Sequence, residues 1–157
     1  MIGALSGIAH TPIANPLLVM VGGVGYRVAV PEHILNDIHA DKPVFLYTHT
    51  HVREDALQLY GFLTLLEKEL FLLLLGVSGI GPKLALNILS GMEIMDLAAA
   101  IREGNIQRLR AIPGVGPKTA GRLVLELKEK VASLKLAGLP LSEPLASGED
   151  QIMADAL

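Results

Sequence analysis

The chain has 157 residues, a formal net charge of −3 and no cysteine. That length holds one medium domain or two small ones, and with 51% hydrophobic residues a core is easily filled. The missing thiols exclude disulfides and thiolate metal sites, which fits a reducing compartment, and the mild acidity argues against a protein that coats DNA indiscriminately.

No Lys, Arg, Asp or Glu occurs before Arg27, which would suit a membrane segment. His10, Pro12, Asn15, Pro16 and the Gly22-Gly23 pair interrupt the stretch, and no basic residue precedes it as a secretory signal requires. A soluble protein with no membrane partner is expected. Alternating or β-branched runs at Ile2 to Ala9, Leu17 to Val21, Tyr26 to Val30, Val44 to Thr48 and Ala56 to Phe62 predict five strands, with Gly22-Gly23 as a two-residue hairpin turn. Gly22-Gly23-Val24-Gly25 is no nucleotide loop, because no helical pattern follows it. Pro31 to Ala40 reads as a short helix or loop. Five strands and one short helix in about 62 residues match the OB-fold, a small Greek-key barrel.

Thr48 to Asp55 falls between the fourth and fifth runs. His49 and His51 would share one face of a strand, but no third ligand stands nearby and no metal is expected. Taken alone, Glu54 and Asp55 read as solvated turn carboxylates.

From Leu65 the period becomes helical. Leu65, Leu66, Leu70 and Leu73 form an apolar stripe, and Glu67, Lys68 and Glu69 mark a wet side. The apolar run up to Leu75 exceeds one face, so this helix is either buried all round or meets another subunit. Further helices are expected at Pro82 to Leu89, at Glu93 to Arg102 with Ser90 and Glu93 as a capping box and Gly104 as its end, from Asn105 through Ile112, and from Pro117 with Leu123, Leu127 and Val131 inward. From Gly138 the composition is that of a linker, and Asp150 to Leu157 could begin another helix.

Two segments repeat 35 residues apart: Ser78-Gly79-Ile80-Gly81-Pro82-Lys83 and Pro113-Gly114-Val115-Gly116-Pro117-Lys118. Leu74, Ile80, Ala85 and Leu89 recur at that offset as Leu109, Val115, Ala120 and Val124. Glycine permits positive φ, proline suits the first helical turn, and the free N–H groups at a helix start attract anions, with a lysine beside them. The unit, present twice, resembles the helix-hairpin-helix motif, which binds nucleic-acid backbone without reading sequence. Charge agrees: residues 1–64 sum to −2, residues 65–135 to +3 and residues 136–157 to −4.

The order of these parts resembles the RuvA family, bacterial subunits that recognise the Holliday junction in recombination and repair. The match rests on Met1 to Gly3, Val21 to Tyr26, Val52 to Ala56, Leu59 to Phe62, the two hairpins, and Leu89 to Met92, and it spans roughly residues 1–135. It implies an α+β chain: an OB-fold barrel at 1–64, a tandem helix-hairpin-helix domain at 65–135, and an acidic linker or the start of a third domain at 136–157. It also implies a homotetramer on four-way junction DNA, as a single tetramer or a facing pair, in the bacterial cytoplasm. The candidate DNA-binding residues are Ser78, Gly79, Ile80, Gly81 and Lys83 in the first unit, and Gly114, Val115, Gly116, Lys118, Thr119 and Arg122 in the second. Glu54 and Asp55 become an acidic pin near the four-fold axis, where carboxylates would repel phosphates and keep the crossover open.

The resemblance names the RuvB ATPase as partner and leaves room for the RuvC resolvase. RuvB is bound by a third helical domain that would begin where these residues stop, so motor coupling by them alone is not expected. Pro117 also departs from the family, whose members often carry a basic residue there. No P-loop pattern occurs, so ATP hydrolysis would come from the partner, and for a non-catalytic subunit no catalytic residue and no cofactor are expected. The competing reading is a helix-hairpin-helix glycosylase or nuclease. Against it, Lys135 to Leu139 supplies no aspartate where such a glycosylase would place one, and no carboxylate cluster for metal-dependent cleavage stands out. A plain protein-interaction module is the third reading.

Overall fold

The computed structural model describes residues 1–136, so the expectations for a linker from Gly138 and a helix start at Asp150 lie outside the described residues. Five strands come first: β1 (Ala4–Ala9), β2 (Leu17–Val21), β3 (Val24–Ala29), β4 (Pro43–Val52) and β5 (Leu57–Phe62), with a 3-10 helix, Glu32–Asp37, between β3 and β4. They close into a barrel in the order β1-β2-β3-β5-β4, antiparallel throughout except for β3 beside β5. This is the expected OB-like barrel. Its filling alternates along each strand, as the pleat requires: Leu17 and Val19 on β2, Leu46 on β4 and Leu59 on β5 point inward. Asn15 ties the β1–β2 connection to the end of β3, its side-chain amide donating to the Val30 carbonyl and its Oδ1 accepting the Val30 N–H.

The strand limits differ from expectation by two residues or more in three places. Gly22 and Gly23, both at positive φ, make the whole turn, so Val21 already pairs with Val24 and β3 starts two residues before Tyr26. Ile2 and Gly3 are held outside β1: the Thr50 hydroxyl accepts from the Ile2 N–H, and the Gly3 carbonyl accepts from the Thr48 N–H. β4 runs on to Val52, because Thr-His-Thr-His extends the ladder with β5 as far as Val52 opposite Leu57. The connection shrinks to Arg53 to Ala56, closed by the Arg53 N–H on the Ala56 carbonyl at 2.8 Å.

Five helices follow: α1 (Leu65–Leu75), α2 (Pro82–Gly91), α3 (Ile94–Glu103), α4 (Ile106–Arg110) and α5 (Pro117–Leu136). Among the described residues no single helix is long and apolar enough to cross a membrane. Gly104 ends α3 in the left-handed region and Asn105 caps α4 by accepting the Arg108 N–H, both as expected. α4 is shorter than expected, stopping at Arg110 before the turn through Ile112. Leu123, Leu127 and Val131 of α5 are buried as expected.

Two expectations about caps and faces are corrected. Ser90 does not cap α3: α2 continues through Gly91, and the Ser90 hydroxyl instead accepts the N–H of Glu32 at 2.8 Å. Glu67 is not on a wet side. It is 5% exposed, its Oε2 lies 2.9 Å from His33 Nε2, and the Thr64 hydroxyl donates to its Oε1 while capping α1. The buried stripe of α1 is therefore Leu66, Glu67, Leu70, Phe71 and Leu74, with Leu65 exposed, because this helix fills the seam between barrel and helices.

That seam joins the two cores. Phe62 of β5 belongs to the helical core, with its ring 4.9 Å from that of Phe71, and Tyr60 lies 5.1 Å from the same ring. Such contacts add to the area they bury. His49 faces the seam too, 6.0 Å from Phe71, and burial holds its pKa below the ordinary 6.5, with the charges of His51 and Lys68 adding to the effect. A base that binds its proton more weakly when folded contributes stability above its unfolded pKa and loses it as pH falls through the folded one. The urea midpoint is therefore expected to drop between about pH 7.5 and about pH 5.5, and to drop less in His49→Gln. An identical drop in both proteins would reject this role for His49.

Candidate nucleic-acid interface

The two repeated segments fold alike. In the first, Val77 donates to the Leu74 carbonyl and Ile80 to the Val77 carbonyl, both at 3.1 Å; in the second, Ile112 donates to Leu109 at 3.1 Å and Val115 to Ile112 at 3.0 Å. Gly79 has φ 89° and Gly114 has φ 90°, a region in which a side chain is strained. In each copy the helix then starts from the second glycine, with Ala85 bonding back to Gly81 and Ala120 to Gly116, both at 2.9 Å. Pro82 and Pro117 occupy the first helical position, where no N–H is missed.

The N–H groups of Gly81, Lys83 and Leu84, and those of Gly116, Lys118 and Thr119, have no partner among the described residues. Lys83 and Lys118 are exposed. A Cβ placed on Gly81 or on Gly116 would meet nothing within 4 Å, so open space stands before the free amides of each copy. Unpaired amides, the positive end of a helix dipole and an ammonium group, repeated twice, form two anion-binding corners.

The corners are coupled crosswise. Arg122 of α5 donates from Nη1 to the Ser78 carbonyl at 3.2 Å, beside Gly79. In return Leu84 of α2 packs on the second corner, where a Cβ on Gly114 would lie 3.2 Å from Leu84 Cδ1. Each hairpin thus rests on the helix that follows the other.

Not every candidate residue faces outward. Ile80 and Val115 are each 6% exposed within the helical core and their N–H groups are spent inside the turn, so their side chains anchor the corners. Ser78 and Gly79 are exposed, Thr119 is half-buried, and Arg122 spends one N–H on the brace. Leu84, outside the candidate set, is the equivalent of Thr119 at the 35-residue offset and has the same free N–H. Of the repeated apolar positions, Val124 alone is only half-buried, packing beside Gly104.

Glu54 and Asp55 sit exposed at the tip of the β4–β5 turn. His49 and His51 do share a strand face, with ring centroids 6.3 Å apart, yet no group of three or more His, Asp or Glu residues able to hold a metal occurs among the described residues.

The two glycines of a corner differ in what they tolerate. Gly79→Ala, forced to positive φ, is expected to cost about 1–2 kcal/mol in urea unfolding, whereas Gly81→Ala, at φ −93° and facing open space, should stay within about 0.5 kcal/mol of the parent. Equal losses would show that the corner geometry described here is wrong.

The RuvA N terminal domain family matches residues 1–61, and the SAM-like helix-hairpin-helix tandem family matches residues 71–129. A protein of Pelobacter propionicus is 48% identical over 157 residues, covering all of this chain and 79% of its own length. One of Geobacter sulfurreducens is 46% identical over 156 residues, covering 99% and 78%, and one of Syntrophotalea carbinolica is 48% identical over 158 residues, covering 100% and 79%. All three are named Holliday junction branch migration complex subunit RuvA. With the barrel, the two corners and this likeness along its whole length, the chain belongs to the RuvA family.

Proposed function

We propose that the chain is a non-catalytic scaffold that binds four-way junction DNA and presents it to a separate branch-migration motor. The observation that carries this reading is the pair of equivalent corners, each with free amides and an exposed lysine, braced at one separation by Arg122 and Leu84. Groups of this kind grip phosphates and leave base edges untouched, so selectivity follows the shape of the DNA.

In this reading residues 65–135 hold the duplex arms through Gly81, Lys83, Gly116, Lys118 and Thr119. Residues 1–64 place Glu54 and Asp55 at the centre of the junction, where two exposed carboxylates keep phosphate strands apart by repulsion. Four arms call for four such units, so the working form is a homotetramer, single or paired across the DNA, in the bacterial cytoplasm. The ATPase is supplied by RuvB, whose docking needs more than the described residues, and RuvC would act on the same junction.

The test is a gel shift with a four-way junction and a linear duplex at equal salt, with light scattering on the free protein. Tighter junction binding by about tenfold or more and four times the monomer mass are expected. The double variant Lys83→Ala, Lys118→Ala should bind both DNAs more weakly and lower the salt slope by about 1.8, two phosphate contacts' worth. Equal affinity for the two DNAs overturns the reading.

A further inference from the structure

A groove of about 460 Å3 runs between the barrel and the first corner, with Arg53 and Tyr60 on its barrel side and Gly81, Lys83 and Asn87 on its α2 side. Arg53 precedes the acidic pair, yet it does not point with it. Arg53 follows the last residue of β4 and lines the groove together with Tyr60 of β5, whereas Glu54 and Asp55 do not line it. Its guanidinium lies near enough to Tyr60 to oppose, in part, the rise in that phenol's pKa caused by burial. Among the described residues Arg53 makes no ion pair, although two carboxylates follow it directly in the chain.

A guanidinium left without a carboxylate, facing an exposed ammonium across an open groove, is suited to a phosphodiester, which it can bind with two parallel hydrogen bonds. We propose that Arg53 and Lys83 together hold a phosphate of the strand that leaves one arm and turns into the next, making Arg53 a specificity-determining contact for the branched form. A linear duplex lying on the two corners meets the Lys83 side of this groove but has no strand turning toward the pin, so it would not reach Arg53. The turn that repels phosphate at its tip thus attracts it at its base. This rests on the junction-binding reading above.

The experiment measures binding of the full chain, as parent, Arg53→Gln and Arg53→Lys, to a four-way junction and to a linear duplex over a series of salt concentrations. Arg53→Gln should lose about tenfold on the junction and reduce its salt slope by about 0.9, with duplex affinity changed less than about twofold. Arg53→Lys should recover most of the junction affinity. Arg53 is exposed and its main-chain bond to Ala56 needs no side chain, so the unfolding midpoint of each variant should match the parent. Equal losses on both DNAs, or no loss on the junction while the parent still prefers it, overturn this inference alone. A parent with no preference for the junction overturns it together with the reading it rests on.

Discussion

The interface depends on one apolar residue held between two glycines, Ile80 in the first copy and Val115 in the second. Each side chain is buried in the helical core and each N–H is closed inside the turn, which pins the middle of the corner. With that point fixed, the glycine before it takes a positive φ and the glycine after it opens the next helix toward solvent. The unpaired amides are those that any α-helix leaves at its start, and the anchoring decides that they lie beside open space.

The barrel reaches the corners through α1. Phe71 stacks against Phe62 and Tyr60 on one side of that helix, and Glu67 meets His33 while the Ser90 hydroxyl holds the main chain of the 3-10 helix. Apolar packing supplies most of the cohesion, and the polar contacts fix the rotation of one part against the other. A carboxylate buried with two partners is costly to misplace, so the joint has one favourable setting. The position of the β4–β5 turn relative to the first corner follows from it.

What could be read from residues alone was whatever is encoded locally. Gly22-Gly23, Gly104 and Asn105 act within a few positions of themselves, and the 35-residue repeat made both corners visible as a pair. Errors arose where a distant partner decides. Glu67 belongs to a charged cluster, Glu67-Lys68-Glu69, that looks like a solvated face, and its partner His33 lies 34 residues away on the 3-10 helix. Ser90 and Glu93 have the spacing of a cap, but the longer α2 absorbs the serine. Thr48 to His51 is polar on both faces, so its alternation hid the extension of β4, which the ladder with β5 supplies. The apolar repeat marks Ile80 and Val115 as equivalent, and the helical core packed around them shows that both side chains turn inside.

The link from Arg122 to the first corner ends on a main-chain oxygen, that of Ser78. Every amino acid offers the same oxygen, so the brace is indifferent to which side chain stands at position 78. Position 122 has no such latitude, since the reach and the donor both come from the guanidinium. Mutational tolerance across this one contact is therefore lopsided: position 78 is free to drift in chemistry as far as the brace is concerned, while its mounting stays put.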